Sequence, residues 1–164
     1  MSGEKNFGCE LCEMDGGEVI FRTKKWRVVR VGGPDGDAFR GFCRVIWNAH
    51  VREMTDLVPV DRREFMDAVF KVEAALRASL SPQKINLASL GNLTPHLHWH
   101  VIPRYRDDCA FPKPIWAANL TAASSLGTLA TTQPPDVIGA NAAKVTPGGQ
   151  WPHALRRALE SDRA

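Results

Sequence analysis

No run of apolar residues in this chain approaches the length of a membrane span. The opening residues, Met1 to Phe7, are polar and lack the apolar stretch of a secretory leader. Four cysteines in 164 residues are too few for a disulfide scaffold, so a reducing cytoplasm is the expected setting. The net charge is only +3. That excess is too small to argue for a nucleic-acid surface, yet it does not oppose a phosphate-bearing substrate. There is no internal repeat. Charge is scarcest between Ala117 and Gln150, where Asp136 and Lys144 are the only charged side chains. Ala, Thr, Ser, Gly, Pro and Asn fill most of that stretch, which reads as a flexible extension rather than a second domain.

What is present suits one globular domain. Hydrophobic residues make up 44% and charged residues 24%, enough to build a real core in a chain of this length. Gly17 to Arg22 and Trp26 to Val31 read as short strands joined by a turn at Thr23-Lys24-Lys25. Gly32 to Asp37 reads as a loop, Phe42 to Trp47 as a strand, and His50 to Leu57 as room for a short helical turn. The clearest helix runs from Asp61 to Ser79. Phe65, Val69, Val72, Leu76 and Leu80 recur there at three- and four-residue steps, with Pro59 before them and Ser81-Pro82 as the stop. Ile85 to Leu90 and His96 to Ile102 complete the strands. The order β-β-β-α-β-β with short links predicts an α+β fold, a mostly antiparallel five-stranded sheet with one long helix packed on it. Trp151 to Ala164 recovers helical character, with Leu155, Ala158 and Leu159 on one side. Such a helix can dock on the core or on a partner subunit, but composition weighs toward a poorly ordered tail.

The segment from Pro95 to Pro103 carries the chemistry. His96, His98 and His100 sit at every second position, separated by Leu97 and Trp99 and followed by Val101. This is the period of a strand, so the three imidazoles line one face and the apolar residues pack behind. The prolines bracket the run, where strands tolerate them. Neighbouring imidazoles on one face stand about 6.7 Å apart and the outer pair about 13 Å, from a rise of roughly 3.3 Å per residue. Zinc–nitrogen bonds are about 2.1 Å long. Two of these rings can therefore meet on one ion, but three on a straight strand cannot. A three-histidine metal site needs a sharply bent strand, and chance surface histidines would not be backed by Leu97, Trp99 and Val101. Neutral imidazole predominates at pH 7, ready as a nucleophile or base, so at least one of the three reads as a catalyst.

A second cluster lies near the start, where Cys9-Glu10-Leu11-Cys12 forms a C-x-x-C pair. A redox disulfide, two unlinked thiols and half of a zinc site all have this spacing. The thioredoxin-like unit that usually carries a redox pair is not visible. A zinc site needs two more ligands, and His50 and His153 are the histidines outside the triplet. Cys43 reads as a small buried apolar residue, and Cys109 has no partner pattern.

The run His96-Leu97-His98-Trp99-His100-Val101-Ile102 resembles the signature of the histidine triad (HIT) family, His-φ-His-φ-His-φ-φ with φ apolar. Ile85 to Asn92 and Gly41 to His50 resemble the strand and loop before the triad and the preceding core strand. The resemblance spans residues 9 to 116. It divides the chain into a HIT-like domain at 1–116 and a low-complexity extension at 117–164 with room for a short terminal helix.

The resemblance implies several roles. In zinc-bearing members the ion is held by a cysteine pair, a histidine after the core strand and the first triad histidine; here these are Cys9, Cys12, His50 and His96. Such an ion is four-coordinate and structural, no organic cofactor is implied, and the spacing constraint on the triad is relieved. His98 is the implied nucleophile toward the α-phosphorus of a nucleotide, and His100 the donor to a phosphate oxygen or the departing group. Asn86 and Asn92 are expected at phosphate, although strand-end and turn hydrogen bonding fits them as well. Asp35 is a candidate for a ribose hydroxyl, against a solvated turn aspartate. Arg104 is placed between a phosphate contact and a surface ion pair. Phe42 stands where many relatives carry a histidine, and Leu93-Thr94 where they place small hydroxyl residues. The third histidine, rather than Gln, favours hydrolase over transferase chemistry. The implied partners are a nucleotide, a purine nucleoside phosphate first, and a second copy in a homodimer, with no membrane or specific nucleic acid. The alternative is a nucleotide-binding regulatory module.

Overall fold

The computed structural model describes residues 6–117 and 149–161. Most of the low-charge stretch therefore lies outside the described residues. Five short strands form one sheet: β1 (Glu18–Arg22), β2 (Trp26–Arg30), β3 (Cys43–Trp47), β4 (Lys84–Ala88) and β5 (His98–Arg104). Their order across the sheet is β1-β2-β3-β5-β4, and every neighbouring pair is antiparallel. The fold is thus the expected α+β arrangement.

Local chemistry sets the joints. The Thr23 hydroxyl accepts from the N–H groups of Lys25 and Trp26 and tightens the turn between β1 and β2. Gly41 enters β3 at a φ of +83°, a conformation that L side chains rarely adopt, and a Cβ there would meet Leu80 and Pro103.

Strand ends shift by one or two residues from the sequence expectation, and three differences have a clear cause or consequence. The loop expected at Gly32 to Asp37 is instead a short helix, α2 (Gly33–Ala38), following α1 (Glu10–Glu13) in the chain. Pro34 lies in its first turn, where the missing N–H costs nothing, and the Phe39 N–H closes on the Asp35 carbonyl. The long helix α3 (Pro59–Leu80) begins two residues early because Pro59 is its first residue rather than its barrier. It stops at Ser81, which turns left-handed at φ +46° ahead of Pro82. The triad strand begins at His98 and not at His96.

Helix α3 buries Phe65, Val69, Val72 and Leu76 against Val28, Val45 and Val101 of the sheet. At its described residues the terminal segment takes the docked-helix alternative rather than the poorly ordered one. Helix α4 (Trp151–Glu160) packs beside α3 and β1, and Trp151, Leu155 and Leu159 join the same core. Each fully buried side chain of this size contributes on the order of 2 kcal/mol.

Among the described residues, the opposite face of the sheet is covered by two smaller clusters. Leu11 packs on Val29 and Ile46 in one cluster, and Phe39 and Phe42 pack with Ile102 in another. His98, His100 and Arg44 belong to this face.

Candidate functional site

Cross-strand register assembles the triad face. Arg44 lies opposite His100, and Ile46 opposite His98. Asn86 pairs with Ile102 on the far side of β5, and Ala88 with His100. His96 precedes the regular ladder. Its neighbour Leu97 bonds by its N–H to the Val51 carbonyl, while its own carbonyl accepts from the Trp47 N–H. That detour takes the His96 ring away from the strand face and toward Cys9 and Cys12.

The four residues of the expected metal set are brought together. Their ligand atoms all lie within 4.8 Å of one another. His96 Nδ1 is 3.5 Å from both Cys9 Sγ and Cys12 Sγ, and His50 Nδ1 is 3.4 Å from Cys12 Sγ. A tetrahedral zinc with about 2.3 Å bonds to sulfur and 2.0–2.1 Å to nitrogen has an S···N edge of about 3.6 Å. The donor set therefore fits a metal ion. The helical turn of α1 projects both sulfurs to one side, and the two histidines arrive from the ends of β3 and β5.

The surroundings suit that use. His96 Nε2–H donates to the Trp47 carbonyl at 2.7 Å, which leaves Nδ1 with its lone pair free for a ligand bond. The buried Arg27 fastens the cysteine turn to the sheet. Its guanidinium donates to the carbonyls of Leu11 (2.7 Å), Met14 (3.3 Å) and Asp15 (3.0 Å) and to Asn48 Oδ1 (3.0 Å).

The other two triad histidines form a separate pair. His98 Nδ1–H donates to the His96 carbonyl at 2.6 Å, so its Nε2 carries the lone pair. That Nε2 is 3.0 Å from His100 Nε2. Burial lowers the pKa of His98, partly offset by the carbonyl bond, with the nearby Arg44 lowering it further. Burial, then His98 and Arg44, push His100 down to about 3. Both rings are thus neutral at pH 7. Phe42 lies against His100 from one side, ring centres 5.6 Å apart, and Trp116 meets it edge-on at 5.0 Å. A cavity of about 650 Å³ lies along β4, walled by Asn86, Ala88, Ile102, Ile115 and Trp116; neither histidine lines it, and Trp116 is the wall residue that meets His100.

The remaining expected contacts fall elsewhere. Asn86 Oδ1 accepts from Arg104 at 2.7 Å while facing the cavity. Arg104 is buried, and its guanidinium bonds Asp108 through Nε (2.7 Å) and Nη2 (2.9 Å) and reaches the Lys113 carbonyl. The surface ion pair expected of it is an interior one. Asn92 is exposed in the loop before the triad, and Asp35 is exposed in the first turn of α2. Neither is hydrogen-bonded to the triad among the described residues. Sequence reasoning missed Arg27, Arg44 and Trp116. Arg44 left one signal, a charge inside the apolar strand Cys43 to Trp47, in phase with the face later shown to hold the histidines.

The fold and site define an α+β protein with a strand-borne histidine pair beside a two-cysteine, two-histidine cluster. A family model described as the HIT domain matches residues 18–107. The chain belongs to the HIT family, whose members are nucleotide-binding and hydrolytic proteins. Among solved structures it is similar to a histidine triad protein from Marinobacter aquaeolei VT8, with 20% identity, a TM-score of 0.66 and coverage of 97% of this chain and 98% of that one. A histidine triad protein from Bradyrhizobium japonicum shares 24% identity at a TM-score of 0.60, covering 88% of this chain and 92% of that one. A histidine triad protein from Sinorhizobium meliloti 1021 shares 26% identity at 0.56, covering 66% and 78% respectively. No curated protein matches the sequence. No helix among the described residues is long and apolar enough to cross a membrane.

Proposed function

We propose that this protein is a hydrolase that cleaves at the α-phosphate of a nucleoside polyphosphate, a phosphoramidate or an acyl-adenylate. His98 is the nucleophile and a nucleotidyl-histidine the intermediate. The observation that carries this reading is the His98 ring, pinned through Nδ1–H to the His96 carbonyl with Nε2 left as a buried lone pair. Nε2 attacks the α-phosphorus, and the bond to the departing group breaks. The departing group leaves with its electron pair and takes a proton from solvent. Nδ1–H stays on the ring and, through the carbonyl, stabilises the positive charge of the adduct. Water then displaces the nucleotide and neutral His98 returns. His100 donates from Nε2–H to a phosphate oxygen or the departing group. The apolar cavity beside Trp116 suits a flat ring, either the base or an aromatic leaving group. Asn86, Asn92 and Asp35 complete the proposed substrate contacts.

Zinc is the proposed occupant of the Cys9, Cys12, His50 and His96 cluster, as a structural ion that fixes the N-terminal turn and residue 96. A cytoplasmic setting keeps the two thiols reduced. A homodimer belongs to the same reading, joined through an outer strand of the sheet, β1 or β4.

The test is the intact-protein mass after mixing with an aminoacyl-adenylate or a nucleoside phosphoramidate. A transient nucleotide-sized adduct, absent in His98→Ala, is the expected result. Tight nucleotide binding with neither adduct nor turnover would instead make the protein a nucleotide-binding regulatory module.

A further inference from the structure

Three arginines face the triad side of the central strands, and they are not equivalent. Arg27 spends its guanidinium on three carbonyls and Asn48. Arg104 spends its own on Asp108, Asn86 and the Lys113 carbonyl. Arg44 is the exception. Among the described residues its one hydrogen bond is long, Nη1 to the Gly16 carbonyl at 3.4 Å, and its buried Nε meets no partner. A buried guanidinium nitrogen without an acceptor is costly, and native proteins rarely leave one so.

The place of Arg44 gives that vacancy a direction. It sits directly across the ladder from His100, where cross-strand Cβ atoms stand about 5 Å apart. The Phe42 ring, which lies against His100, is also 6.0 Å from the Arg44 guanidinium carbon. One aromatic wall therefore borders both side chains. His98 and His100 are neutral donors and acceptors, whereas a phosphate at His98 brings a negative charge into a partly buried site. The planar, permanently charged guanidinium is the side chain best matched to phosphate oxygens.

We propose that Arg44 binds a non-bridging oxygen of the phosphate seated at His98 and makes this pocket selective for anionic nucleotides over uncharged nucleosides. The proposal rests on the hydrolase reading for the location of that phosphate, but its binding test needs no turnover.

The experiment compares wild type, Arg44→Leu and Arg44→Lys by calorimetric titration with two probes, AMP and adenosine, with turnover of an adenosine phosphoramidate measured in parallel. Arg44→Leu should weaken AMP by about 10- to 100-fold, the range for a charged hydrogen bond, and leave adenosine affinity unchanged. Arg44→Lys should recover part of the AMP loss. A purely structural role for Arg44 would lower both probes alike or neither. Unchanged AMP affinity in Arg44→Leu overturns the proposal even if wild type hydrolyses the phosphoramidate. Selective loss of AMP upholds it even if wild type proves inactive, in which case the hydrolase reading alone falls. A wild-type protein that binds neither probe overturns both.

Discussion

The Nε2 atoms of His98 and His100 stand 3.0 Å apart, each on a ring that burial keeps neutral. Two neutral imidazoles at that distance must divide the roles of donor and acceptor. The His96 carbonyl claims the Nδ1 proton of His98, so His98 accepts at Nε2 and His100 donates. Nitrogen-15 NMR at pH 7 should therefore report His98 protonated at Nδ1 and His100 at Nε2. The reverse assignment would remove His98 as the nucleophile.

Arg27 touches no proposed ligand atom, yet it holds the backbone that carries two of them. Arg27→Leu leaves the carbonyls of Leu11, Met14 and Asp15 without their donor. Metal affinity, measured by competition with a chelating dye, should fall by about 10- to 100-fold. An unchanged affinity would mean that the cysteine turn is rigid without its arginine.

Asp108 accepts from Arg104 and from the N–H groups of Tyr105 and Ala110. Burial would raise its pKa, but these bonds outweigh burial and hold it at about 2. The folded value lies below the unfolded one of about 3.9, so the stabilisation is full above that value and is lost as pH falls toward 2. Asp108→Asn should cost about 2–4 kcal/mol at pH 7, where it also leaves buried Arg104 without its counter-charge. Denaturant melts of the two proteins should converge as pH approaches 2, and a gap independent of pH would refute the assignment.

Leu155 of α4 is fully buried. Leu155→Ala should cost about 2–5 kcal/mol in global stability, read from urea melts. A cost near zero would mean that α4 rests on the core without belonging to it.

The sheet, the long helix and the face of the triad were legible because each has a strict period. Phe65, Val69, Val72 and Leu76 could be aligned on α3 without knowing what they touch, and alternation alone put the imidazoles of His98 and His100 on one face. Arg27 and Arg44 were not legible in the same way. Their environments come from segments distant in sequence, and only the folded hydrogen bonds reveal that one arginine is saturated while the other is not. Helix α2 was hidden by its glycines and proline, which mark loops more often than first turns. Helix α4 was legible as a helix from Leu155, Ala158 and Leu159, but its docking was not, since the burial of a short amphipathic segment depends on tertiary packing against α3. Arg104 was misjudged because a pair four residues apart in sequence looks solvated until Phe39 and the chain at Lys113 close over it.

Residue 96 links two parts of the site. Its imidazole belongs to the cysteine cluster, and its carbonyl sets the direction of the next histidine on the strand. Both groups hang from one Cα and each is pinned by its own short hydrogen bond, the ring to the Trp47 carbonyl and the carbonyl to the His98 ring, so order at one restrains the other. Disorder at the sulfur cluster would therefore spread the angles at which His98 presents its lone pair, even with every core side chain still in place. On the hydrolase proposal, catalytic rate would then decay ahead of global unfolding as the cluster is stripped, and the N-terminal turn would act as a sighting device for the proposed nucleophile.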